Sequence, residues 1–230
     1  MSIKPIRFTT DEVRATLGGR KTVTRRVVRG AWPEWSYLGL TDDAAVTAVD
    51  RYGEEYPKPV DGLWAEFEDA DGPVEFPMVK TPYRPGDILW VRETWCKDVG
   101  RYMYRANYSD TEKFYINGQE TTIRWRPSIH MPREAARIWL RVTDVRVERL
   151  QEIDGNGLRA EGLDIPCLPN EVEDQFNKYG AIFDLEQAKK SFSALWDSTI
   201  KHADLDRYGW WANPWVWVNH FERCEKPEEA

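Results

Sequence analysis

"LGGRKTVTRRVVRG", residues 17–30, decides the fold by its order: the end of a helix, a glycine turn, then a strand. Before it, "DEVRATL" is an amphipathic run that Thr9 or Thr10 is placed to cap and that Gly18-Gly19 ends. After the glycines, "KTVTRRVV" alternates polar with apolar or β-branched residues, the period of a strand. Gly-Arg-Lys-Thr looks like the end of a phosphate-binding loop. That loop, however, needs Gly where Arg20 stands, and it runs from strand to helix. What the stretch does carry is charge. Arg20, Lys21, Arg25, Arg26 and Arg29 stand together with no acid among them, in a chain whose formal net charge is −7.

Outward from this stretch, "KPIRF" is a short extended start. Pro85-Gly86-Asp87 is a tight turn feeding the strand "ILWVRETW", with "YMYRANY" as its hairpin neighbour. "ARIWLRVTDVRVERL", residues 136–150, is the longest strand signal. Its inward set Ile138, Leu140, Val142 shifts phase to Val145 and Val147, which predicts a bulge or bend near Thr143-Asp144. "GNGLRAEGL" predicts a short helix. "DLEQAKKSFSALWDSTI" predicts a longer one, capped by Asp184, with Leu185, Ala188, Phe192, Leu195 and Thr199 along its stripe. "NPWVWVNHFERC" closes as a strand with Trp215 and Trp217 packing on one face. The inventory is α+β, a mostly β core with a few helices, and predicts a small bent sheet or barrel.

At 230 residues there is room for one large domain or two small ones, and 41% hydrophobic with 31% charged residues is an ordinary globular composition. No run approaches the ~18 apolar residues of a membrane span, and "MSIKP" lacks an apolar leader. Cys96, Cys167 and Cys224 are an odd, scattered set, which favours a reducing cytoplasm over a disulfide framework. His130, His202 and His220 have no metal-ligand spacing, so no metal is expected; His220 and Cys224 read as structural.

The charge is unevenly spread. Residues 31–79 hold twelve acids against Arg51 and Lys58, and the remainder of the chain is net basic. The acidic stretch reads as a surface insertion with one hairpin, "LWAEFEDADGPVEFPMV", turning at Asp71-Gly72. It is either a solvated loop or a shield over a basic site. Residues 121–147 are the converse, with Arg124, Arg126, Arg133, Arg137, Arg141 and Arg146 interleaved with Trp125 and Trp139. Arginine with tryptophan suits phosphate contact and base stacking, and equally suits an exposed strand face without a ligand.

On an extended strand Thr22 and Thr24 share one face and Lys21 takes the other. A twist after the glycines brings Lys21 and Thr24 around one pocket. Lysine serves as a base when burial or neighbouring cations, here Arg20, Arg25 and Arg26, weaken its hold on the proton. A threonine hydroxyl beside it is then a candidate nucleophile, and a carboxylate completes the set. A basic strand end that only binds phosphate is the simpler reading.

"LGGRKTVTRR", a later "PGDILWV", a long strand followed by "AEGL", and a final "WVWVNHFE" resemble the ASCH domain family. The resemblance implies a PUA-like bent β-barrel with flanking helices, here a single domain with insertions at about 28–79, 99–133 and 164–207. The family's motif runs Gly-x-Lys-Thr-x-Thr-x-Arg, which Gly19, Lys21, Thr22, Thr24 and Arg26 match. Its small members are metal-independent amidohydrolases that deacetylate N4-acetylcytidine. On that likeness Lys21 activates the Thr24 hydroxyl and Glu161, in "RAEGL", moves protons to the leaving amine. Arg20, Thr22, Arg25, Arg26, Arg124, Arg126 and Trp125 are the expected substrate or phosphate contacts. The implied partner is a modified nucleoside or nucleic acid, RNA before DNA, with no cofactor and no membrane. In size the chain is closer to the larger phage and prophage members, and the expected location is the cytoplasm of a bacterium or infected host. The alternatives are a non-catalytic RNA, DNA or modified-base binding module, and a ribonuclease.

Overall fold

Thr9, not Thr10, starts the first helix. Its Oγ1 accepts the Glu12 amide at 3.3 Å, while Glu12 Oε2 accepts the Thr9 amide at 2.8 Å, so two otherwise orphaned donors are satisfied reciprocally. Gly18 closes the helix, and Gly19, at φ +73°, takes the left-handed turn that returns the chain as a strand.

The computed structural model describes residues 1–42, 45–49, 55–59, 61–68, 78–98, 100–116, 119–164 and 177–228. Their strands are β1 (Ile3–Arg7), β2 (Val23–Val27), β3 (Ser36–Thr41), β4 (Ala45–Val49), β5 (Glu55–Pro59), β6 (Trp64–Glu68) and β7 (Met78–Lys80). There follow β8 (Ile88–Arg92), β9 (Trp95–Asp98), β10 (Arg101–Tyr104), β11 (Phe114–Ile116), β12 (Gln119–Thr121), β13 (Trp139–Arg149) and β14 (Trp215–Cys224). The α-helices are α1 (Thr10–Leu17), α2 (Gly155–Ala160), α3 (Asn177–Thr199) and α4 (Leu205–Tyr208).

The central sheet runs β1-β8-β13-β14-β2, parallel between β1 and β8 and antiparallel elsewhere. The fold is thus α+β and strand-rich. Among the described residues β1 and β2 remain the sheet's two edges, so the pairing is open and not closed into a barrel. The register of β13 against β14 shifts between Val142 and Asp144, where the change of phase predicts a bulge. The shift keeps both Val142 and Val145 in the main core with Leu89, Val91, Ile138, Leu140, Trp217 and Phe221. A second core on the other side joins Val23, Val216 and Val218 to Leu158 of α2 and to Ala188, Phe192 and Trp196 of α3.

Several expectations are corrected. α3 begins at Asn177, so Asp184 lies inside the helix and does not cap it. Its buried stripe continues from Ala188 and Phe192 to Trp196 in steps of four, the spacing of one helix face, which leaves Leu195 49% exposed and Thr199 exposed as well. "ILWVRETW" divides into β8 and β9 at Glu93-Thr94, because the Glu93 carboxylate turns to Arg137 in a two-point pair of 2.9 Å each. The hairpin partner of β10 is therefore β9. Part of the acidic insertion is core and not solvated loop: β3, β6 and β7 form a three-stranded sheet, and Ala65 and Phe67 sit fully buried in the main core, Phe67 against Trp35, Tyr37 and Trp215. β6 and β7 pair as the expected hairpin, while its turn at Asp71-Gly72 lies outside the described residues, as does Cys167. Among the described residues no helix is long and apolar enough to cross a membrane.

Candidate active site

Two backbone contacts bring distant segments of the chain together at the start of β2. The Thr22 amide donates to the Ala160 carbonyl at the end of α2 (2.9 Å), and Thr22's own carbonyl accepts the Phe221 amide of β14 (2.9 Å). Asp154 caps α2 by accepting the Gly157 amide at 2.7 Å. Glu161 follows the helix directly, and Gly162 turns the chain away at φ +97°. A Cβ at Gly162 would lie 2.7 Å from Ala15 Cβ and 3.2 Å from Lys21 Cβ, so only glycine lets α1, α2 and Lys21 approach this closely.

The result is a buried cluster of charges. Lys21, 2% exposed, donates from Nζ to Glu161 Oε2 at 2.6 Å and to the Glu161 carbonyl at 3.0 Å. The other carboxylate oxygen of Glu161 accepts the Arg25 amide at 2.7 Å, with Arg25 Nη1 at 3.4 Å. Arg25 also donates to Glu148 Oε2 at 3.2 Å. Glu12 Oε1 lies 3.5 Å from Lys21 Nζ and 3.9 Å from Arg26 Nη2. Burying charges is costly, and the arrangement is sustained because Lys21 and Arg25 each meet two carboxylates and Glu161 several donors. Burial pushes the Glu12 carboxyl up, but the Arg26 and Lys21 charges and the hydrogen bonds from Thr9 outweigh it and hold it below its usual range.

Thr24 belongs to the same constellation. Its Oγ1 accepts from Arg26 Nη1 at 2.7 Å, and Arg26 also donates to the Arg7 and Arg25 carbonyls. Arg26 and Glu12 thereby link Thr24 to the Lys21–Glu161 pair, with the Phe8 ring centre 5.5 Å from Lys21 Nζ. Of the cations expected around Lys21, Arg25 shares Glu161 with it and Arg26 shares Glu12, while Arg20 is exposed; the charged groups on its ammonium are two carboxylates. Opposite Thr24 in the sheet stands Asn219, fully buried, whose Nδ2 donates to the Thr24 carbonyl at 3.2 Å and whose Oδ1 has no hydrogen-bond partner among the described residues. The rim open to solvent is made by Arg26 and Glu12, with 39% and 20% of their side chains exposed.

Of the remaining expected contacts, Arg20 and Thr22 are exposed beside the cluster, and Arg25 is buried and committed to Glu161 and Glu148. Arg124, Trp125 and Arg126 are not brought to it. Trp125 packs against Tyr108 and Phe114 (centroids 5.7 and 6.3 Å), and Arg126 pairs its backbone with Trp95. The turn at 105–108, against which Trp125 packs, docks on α1 through Arg14, which donates to the Ala106 and Tyr108 carbonyls. Glu12, Glu148 and Asn219 join the site without having been singled out in the sequence. Only Asn219 left a signal, as an amide inside the apolar run "WVWVNHF". Among the described residues no group of His, Cys, Asp and Glu is placed to hold a metal ion.

No protein-family model, no curated protein and no solved structure matches the chain.

Proposed function

We propose that the chain is an ASCH-like amidohydrolase, its open sheet the counterpart of the PUA-like core, and that it removes the acyl group from an N4-acylated cytosine. The observation that carries the reading is the buried 2.6 Å contact between Lys21 Nζ and Glu161 Oε2, joined through Glu12 and Arg26 to the Thr24 hydroxyl. Residues 140 positions apart, each in a segment with the family's likeness, meet at one buried point.

A proton passed from Nζ to Oε2 leaves Lys21 as a neutral amine, which takes the Thr24 proton directly or through one water. Thr24 Oγ1 attacks the acyl carbonyl carbon, the negative charge gathers on the carbonyl oxygen, and Arg26, whose Nη1 lies 2.7 Å from Oγ1, supports it. The carbon–N4 bond breaks, and N4 leaves with a proton returned by the Lys21–Glu161 pair. Water then cleaves the acyl ester, giving the carboxylate and the free hydroxyl. The scheme uses no metal and no cofactor, and its substrate is a modified nucleoside or the same base within RNA.

The test is turnover of N4-acetylcytidine by the wild type, Lys21→Ala and Glu161→Ala. Cytidine release by the wild type that is lost in both variants is the expected result. No release by the wild type, or release unaffected by either change, overturns the proposal.

A further inference from the structure

At the far end of β2 lies a surface that the amide chemistry does not use. Residues 21–28, in extended conformation, carry the chain roughly 23 Å from Lys21 to it. There the Arg207 guanidinium lies 3.7 Å from the Trp32 ring centre and 5.1 Å from that of Tyr208, and the Arg29 guanidinium lies 5.4 Å from the same Tyr208 ring. Neither arginine has a carboxylate partner among the described residues, and Arg207 Nε is buried with no acceptor. Two cations against one ring repel each other and are stabilised by an anion between them. Asp204 and Asp206 stand beside Arg207 in the chain and Glu34 follows Trp32, yet among the described residues none of them pairs with either guanidinium. Trp32, which carries Arg207 on its ring, is 44% exposed, and Trp211, four residues after Arg207, is 88% exposed.

We propose that this surface binds single-stranded nucleic acid, with phosphates on Arg29 and Arg207 and bases stacked on Trp211 and Trp32. The combination selects the partner. Guanidinium groups pair with phosphate and exposed indoles take the faces of bases, whatever the sequence. An acidic peptide or an anionic bilayer supplies the anion but no planar faces to stack on two indoles. The inference stands independently of the amide chemistry above and makes a strand, more than a free nucleoside, the form in which a base is presented.

The test is fluorescence anisotropy of a labelled, mixed-sequence single strand of RNA titrated with the full chain at several salt concentrations. The wild type binds, with affinity that falls as salt rises. Arg29→Gln/Arg207→Gln flattens the log–log salt slope by roughly 1.4, the contribution of two phosphates on a single strand. Trp211→Ala, a change at an exposed side chain that leaves folding intact, weakens binding roughly five- to hundredfold without changing that slope. Absence of wild-type binding at low salt, binding equal in all three proteins, or displacement of the RNA by polyglutamate at equal concentration overturns the proposal. Because the readout is binding alone, its failure and a failure of the deacylation assay are told apart.

Discussion

Replacing Glu161 with Gln keeps a carbonyl for the Arg25 amide and removes the charge that Lys21 and Arg25 share. Both cations are almost wholly out of water, at 2% and 5% exposure. Breaking a buried pair by removing one partner typically costs about 3–5 kcal/mol, because the other charge is left uncompensated. Here Glu12 at 3.5 Å from Lys21 and Glu148 at 3.2 Å from Arg25 retain part of the compensation. The loss therefore belongs at the lower end, about 3 kcal/mol. In urea unfolding at neutral pH this appears as a lower midpoint at unchanged slope, and in heating as a melting temperature about 6–12 °C lower for a chain of this size. Lys21→Met removes the opposite charge. The double variant Lys21→Met/Glu161→Gln, having no orphaned partner at the pair, is expected to be more stable than the two single losses sum to, by about 2 kcal/mol. A loss below about 1 kcal/mol for Glu161→Gln, the range of an exposed ion pair, refutes the reasoning. So does strict additivity in the double variant.

Two further changes probe the same site from its edges. Gly162→Ala places a methyl 2.7 Å from Ala15 Cβ at a φ of +97°, so it is expected to destabilise by about 1–3 kcal/mol and to lower the proposed deacylation by displacing Lys21, as calorimetry and turnover would register. Glu12 sits below the usual carboxyl value of 4.5, so the unfolded chain holds that proton more tightly than the folded one. Its contribution is complete above that value and is lost as pH falls through the folded one. A denaturation series from about pH 6 to pH 3 should therefore be shallower for Glu12→Gln than for the wild type.

The features legible in the sequence were those settled by neighbours along the chain. The Thr9 cap and the glycine turn at 18–19 follow from side chains and φ angles a few residues apart. The bulge at 142–144 was visible as a change of phase within one strand. The start of α3 was misplaced because Asp184 is as good a cap in isolation as in any other helix; residues 177–183 outrank it only by being helical themselves. The acidic insertion misled more seriously. Composition marks "LWAEFE" as surface, yet alternation in β6 hides Ala65 and Phe67 on the one face that reaches Trp215.

By itself, then, the sequence determined that a capped helix turns through glycines into a strand, that β13 bulges, and that Lys21, Thr24 and Glu161 supply an amine, a hydroxyl and a carboxylate. Only the tertiary structure decided that Lys21 and Glu161 touch, that Glu12 and Arg26 tie them to Thr24, and that Trp125 lies elsewhere. The physical reason is range. Caps, turns and periodicity act over a few residues, whereas a buried ion pair between positions 21 and 161 exists only once α2 has been pinned to the start of β2 and water has been shut out.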